Sequence, residues 1–181
     1  MSGMRILPIL LCFAAAAASA QPAPPAQPTR PAGPPADALR VQSFVDRAGA
    51  LCTRRPAQTC VDAGWTFAAA APGRGLTPAD VATLQQRLQR WYEWRRPHLS
   101  SREQASVGFG LLLAGGMGAD RLHRAFDSNG DGLVSRTELL ADVTLDRRPL
   151  GKVLSDPAAV DRAGFARRLN MPAVLIDALF R

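Results

Sequence analysis

Asp127-Ser128-Asn129-Gly130-Asp131-Gly132-Leu133-Val134-Ser135-Arg136-Thr137-Glu138 is the stretch on which the reading of the fold turns. Oxygen-bearing side chains stand at its first, third, fifth, ninth and twelfth places, and glycine is sixth. Alternate residues 127, 129 and 131 can point inward while the backbone turns. Gly132 allows a sharp bend that a Cβ would obstruct. Leu133 offers its carbonyl, Ser135 its hydroxyl or a bridging water, and Glu138 is long enough to close the shell with both oxygens. A hard cation such as calcium takes six to eight oxygens at about 2.3–2.6 Å, and a short chain must wrap to supply them.

Each half of the stretch has a simpler reading. Ser135-x-x-Glu138 alone is a helix capping box, and Asp-x-Asn-Gly-Asp-Gly alone is good turn material. Neither explains their fusion in this register. Over all twelve residues, with Phe126 before them, the pattern resembles the calcium loop of the EF-hand family. The resemblance implies an all-α fold of helix–loop–helix units, with one intact calcium loop and degenerate partner loops. It implies a helix on each side of the loop and a short β-bridge from Val134 to a partner loop. One Ca2+ would be held by Asp127, Asn129, Asp131, Leu133, Ser135 and Glu138.

The chain has 181 residues, enough for one or two small domains with a real core. Arg5, the apolar run Ile6 to Ala18, and Ala18-Ser19-Ala20 read as a secretory signal peptide over residues 1–20. That run is short and alanine-rich for a membrane span, and no other segment is a candidate for one. Residues 21–36, rich in Pro and Ala, read as a flexible linker in partly polyproline conformation. The folded part is expected over residues 37–181, and the location is exported, periplasmic or secreted.

The formal net charge of +7 is almost all arginine, Lys152 being the only lysine. The arginines are scattered and the chain reads as exported, which argues against nucleic acid. It leaves an unknown protein, an anionic envelope polymer or lipid head groups as partners. Cys52 and Cys60 remain after the leader, and two nearby cysteines in an exported chain predict one disulfide.

Apolar spacing predicts helices over Asp37 to Leu51, Gln58 to Ala68 and from Thr77-Pro78 to about Trp94. Gly73-Arg74-Gly75-Leu76-Thr77-Pro78-Ala79-Asp80-Val81 parallels the stretch from Gly130 to Leu139 with one deletion. Arg74 falls where Asp131 sits, and a guanidinium there repels a metal. An ordinary loop before a helix is the other reading, and it leaves a degenerate unit over 58–95 open. Trp91, Tyr92 and Trp94 beside Arg95 and Arg96 fit either a binding surface or the edge of a core.

Ser100-x-x-Glu103 predicts a capped helix over Ser101 to Ala114, packing Val107, Leu111 and Leu112, with Gly115-Gly116-Met117-Gly118 breaking the chain. The intact unit is expected over 119–145, with an exit helix from Arg136 to about Val143. His123 and Asp142 stand where the family is usually apolar; His123 reads as half-exposed, a buried imidazole being the alternative. The expected loop partner is Ala159 to Asn170, with Gly164 in the sixth place, inside a degenerate unit over 153–181. A last helix after Pro172 would carry a stripe of Val174, Leu175, Ala178 and Leu179.

No nucleophile–base pair and no zinc spacing is present, and His98 is the only other histidine, so an enzyme is not expected. Calcium binding, as a structural staple or as a sensor, is the expected function. The alternative is a basic envelope-binding adaptor on a degenerate scaffold with little metal dependence.

Overall fold

The structure is a computed structural model that describes residues 33–69, 71 and 73–179. The expected leader over 1–20, and the linker as far as residue 32, lie outside the described residues. The chain is all-α. Its helices are α1 (Ala36–Arg54), α2 (Ala57–Ala68), α3 (Pro78–Arg95), α4 (Ser101–Met117), α5 (Ala119–Phe126), α6 (Arg136–Leu139), α7 (Leu150–Ser155), α8 (Arg162–Leu169) and α9 (Ala173–Leu179). A 3-10 turn, Arg96–His98, follows α3. Among the described residues no helix is long and apolar enough to cross a membrane.

Local chemistry starts and stops these elements. Thr77 and Asp80 form a reciprocal capping box at α3, with Pro78 at the first helical position. Ser100 and Glu103 do the same for α4. The glycines at 115 and 116 do not break α4; it runs on to Met117 and ends at Gly118, whose φ of +70° suits a residue without a Cβ. A disulfide joins Cys52 of α1 to Cys60 of α2, with Cα atoms 4.9 Å apart.

α1 packs against α2 and α3, α3 packs against α5, and α5 also meets α8. Between them lie Val41, Val45, Leu84, Leu88, Leu122, Phe126, Val153, Phe165 and Ile176, all buried. Trp91 is buried and donates its indole N–H to Gln42 at 2.9 Å. Tyr92 donates to the Gln104 carbonyl, and the Arg95 guanidinium stands over Trp94, so these aromatics belong to the edge of the core.

Three expectations are corrected. In α4, Leu111 is buried but Leu112 is 71% exposed. α9 buries Ile176, which the expected stripe did not include, while Val174 of that stripe is 71% exposed. The exit helix α6 stops at Leu139, not near Val143, because the backbone beyond it is used elsewhere. Thr144 donates to the Ala159 carbonyl and Asp161 to the Asp142 carbonyl, each at 2.8 Å, which makes an antiparallel bridge between Val143 and Val160.

Candidate metal centre

The stretch 127–138 joins α5 to α6 as a tight turn built on its own polar groups. Asp127 accepts the Gly130 N–H on one carboxylate oxygen and the Gly132 N–H on the other, at 2.9 and 3.0 Å. Asn129 accepts from Asp131 N–H and donates its side-chain amide to the Asp131 carboxylate. Asp131 also accepts the Leu133 N–H at 2.8 Å. Gly130 and Gly132 have φ of +73° and +80°, so both turns lie in the region that favours glycine.

Glu138 sits apart from these exposed groups and is buried. One of its oxygens accepts from Ser128 N–H, Ser128 hydroxyl and Asn129 N–H, at 2.9, 3.0 and 3.1 Å. The other accepts Ser135 N–H at 2.8 Å. The Ser135 N–H first, then the Ser135 hydroxyl, with further help from Asn129 and Ser128 and against the effect of burial, hold this carboxyl down to about 2. The twelfth residue thus ties the start of the loop to its end while staying ionised.

The structure brings Asp127, Asn129 and Asp131 together in the turn and folds Glu138 back onto its base. Ser135 caps α6 with its hydroxyl. Leu133, half-buried, leads into Val134. Among the described residues no three His, Cys, Asp or Glu side chains converge as a ligand group. The donor set is all oxygen, which suits a hard cation. Each oxygen of Asp127 is shown with one N–H donor, so a second lone pair can turn to a metal.

The partner of this loop is not residues 159–170 but Gly73 to Val81. Leu76 N–H donates to the Val134 carbonyl at 2.8 Å, and Val134 N–H to the Leu76 carbonyl at 2.9 Å. In this register Thr77 matches Ser135 and Asp80 matches Glu138, each pair being the first and fourth members of a capping box. The single deletion falls between Gly75 and Leu76. A Cβ on Gly75 would lie 2.9 Å from Leu133 Cβ and 3.0 Å from the Val134 carbonyl oxygen, so glycine lets the two bridged segments approach. Arg74 places its guanidinium 2.8 Å from Asp80. Burial raises the Asp80 pKa, but the Thr77 N–H, the Thr77 hydroxyl and Arg74 together outweigh it and hold it below the usual carboxylate value.

The last unit is also re-registered. Val160 is the bridge residue and Asp161 caps α8, accepting Gly164 N–H at 2.8 Å. Gly164 therefore stands at the closing place, where Glu138 stands in the loop, and not at the sixth. A Cβ there would meet Asp142 and Asp161 carboxylate oxygens, each at 2.5 Å. Both acids face arginines: Arg168 Nε is 2.8 Å from Asp142, in ion-pair contact without hydrogen-bond alignment, and Arg167 is 3.6 Å from Asp161.

Two further residues tie the loop to the rest of the chain. His123, expected to be half-exposed, is buried, with Nε2 3.0 Å from the Leu76 carbonyl oxygen. Its place on the buried face beside Leu122 and Phe126 was the available signal. Arg136, the first residue of α6, pairs with Asp62 of α2 and lies over the Trp65 ring, 5.6 Å from its centroid; nothing local to its sequence foretells that contact. No family model, no curated protein and no solved structure matches the chain.

Proposed function

We propose that residues 127–138 are an EF-hand loop that binds one Ca2+, in an exported protein that is not an enzyme. The observation that carries this reading is Glu138, which is buried and reaches across the loop to Ser128 and Asn129 while bonded to Ser135. A closing carboxylate held ionised at that place is what the ligand geometry requires. Asp127, Asn129 and Asp131 would give side-chain oxygens, Leu133 its carbonyl, Ser135 an oxygen directly or through water, and Glu138 both of its oxygens on exchanging its Ser128, Asn129 and Ser135 donors for the ion. Bound there, calcium would supply countercharge to the carboxylates of Asp127, Asp131 and Glu138.

Asn129 in place of a third aspartate lowers the field of the site. An affinity of about 10⁻⁴–10⁻³ M is enough for an extracellular module. A staple role is favoured over a sensor role by the four residues of α6 and by the seam that holds Val134. Ligand binding to the folded state alone then stabilises by about 2.7 kcal/mol at a hundredfold excess over Kd.

Calorimetric titration of the full chain with calcium, magnesium as control and Glu138→Gln beside it, tests this. One calcium per chain, lost or greatly weakened in the variant, is expected. No heat and no change of melting temperature at millimolar calcium would overturn it.

A further inference from the structure

A cleft of about 810 Å³ opens between α1, α2 and α3. That size falls within the range of about 300–1,000 Å³ typical of small-molecule sites. Three helix faces make it. Residues 40, 44, 47 and 51 of α1 recur at helical spacing along one side, next to the stripe that α1 buries in the core. Residues 62, 63, 66 and 67 of α2 form the second wall, and the first turns of α3 the third.

The floor is apolar. Phe44 and Phe67 stack with ring centroids 4.3 Å apart and planes 13° from parallel, flanked by Ala48 and Ala63. The rim is cationic, with Arg40, Arg47 and Arg87 against Asp62 and Asp80. Both acids are already satisfied from outside the cleft. Asp62 pairs with Arg136 and accepts from Gln58, and Asp80 pairs with Arg74 and Thr77. Arg87 Nε stands 3.9 Å from Asp37. Among the described residues Arg40 and Arg47 have no carboxylate partner, Arg47 bonding only the Ser43 hydroxyl. The cleft therefore joins a stacked aromatic floor to a surplus of positive charge at its edge.

We propose that this cleft binds a small amphiphilic oxyanion, an acyl chain or aromatic body bearing one carboxylate or phosphate. The apolar body packs against the half-buried Phe67 and Leu51, and the head group meets Arg40 and Arg47. Guanidinium forks suit both carboxylate and phosphate. None of the six residues given to calcium lines the cleft, so its failure and the failure of that reading are distinguishable.

The test is calorimetric titration of the full chain, in chelator, with decanoate, decyl phosphate and decyltrimethylammonium. One anion per chain with saturation, and no saturable binding of the cation, is expected; the two anions tell a carboxylate source from a phosphate source. The double variant Arg40→Gln/Arg47→Gln should weaken the anion about tenfold, equivalent to 1.4 kcal/mol. Thr66→Trp, at an exposed position in the cleft wall, should block it, with circular dichroism confirming the fold of both. No saturable heat with either anion at millimolar concentration, equal binding of the cation, or parent-like affinity in the folded variants would overturn the proposal.

Discussion

His123 Nε2 donates to the carbonyl oxygen of Leu76 at 3.0 Å, and the same oxygen accepts the Val134 N–H at 2.9 Å. A carbonyl only accepts, so Nε2 is the donor in this contact. The helix that leads into the loop is thereby fastened to the bridge residue that pairs with the loop. Three segments far apart in sequence meet at one atom.

Replacing His123 with Leu keeps the burial but removes that donor. Leu76 keeps its bond from Val134, so the cost should be close to one hydrogen bond, about 1 kcal/mol. Denaturant unfolding measures it, and His123→Gln should recover part of the loss. Parent-like stability in His123→Leu would contradict the role given to the contact.

Gly75→Val places a branched side chain against Leu133 and the Val134 carbonyl. Overpacking of this kind costs about 1–3 kcal/mol. It should also weaken calcium at 127–138, because the two bridged segments must separate to admit it. Melting temperature with and without calcium reports both effects.

Arg74→Gln removes the guanidinium from Asp80 and leaves the Thr77 bonds in place. Arg74 is 43% exposed, so the loss should be about 0–1 kcal/mol. The increment that calcium adds should stay unchanged, since this pair lies in the partner loop. A lost calcium increment would show that the two loops are energetically one site.

Acid should loosen the loop pair. Glu138 is held down to about 2 from an ordinary value of 4.5, and Asp80 is also lowered. A carboxyl with a depressed folded pKa contributes stability that is complete above its unfolded value and is lost as the pH falls through the folded one. Melting temperature should therefore fall between about pH 4.5 and about pH 2. Glu138→Gln should show a shallower fall over that window, measured in chelator.

Breaking the Cys52–Cys60 disulfide in the Cys52→Ala/Cys60→Ala variant frees a short loop. Loop-closure entropy for eight residues of separation gives about 2.5 kcal/mol. The urea midpoint should drop accordingly, with calcium binding retained. A chain that keeps its stability would mean that the α1–α2 packing alone fixes the turn.

What the sequence made legible was local. The loop spacing, the capping boxes at Thr77–Asp80 and Ser100–Glu103, and the Pro78 start each depend on residues within a turn of one another. The choice of Leu76 as partner of Val134 depends on two segments meeting in space, and Arg74 in a metal-repelling place masked it. The helix expected to run to Val143 looked continuous because the competing use of its backbone, the bridge to Val160, lies beyond the next helix. In the last unit Gly164 drew the register by its identity, whereas the bridge at Val160 sets it.

Arg136 over Trp65 has an optical consequence. Trp65 is 8% exposed, and the cation above it belongs to the first turn of α6. Any tilt of that turn changes the field across the indole, so emission from this one ring would shift with it. Trp91, bonded to Gln42, and Trp94, under Arg95, are held by contacts outside the loop. The chain thus carries a built-in dye whose signal is the part of the emission that Trp65→Phe removes, without any label attached to the loop itself.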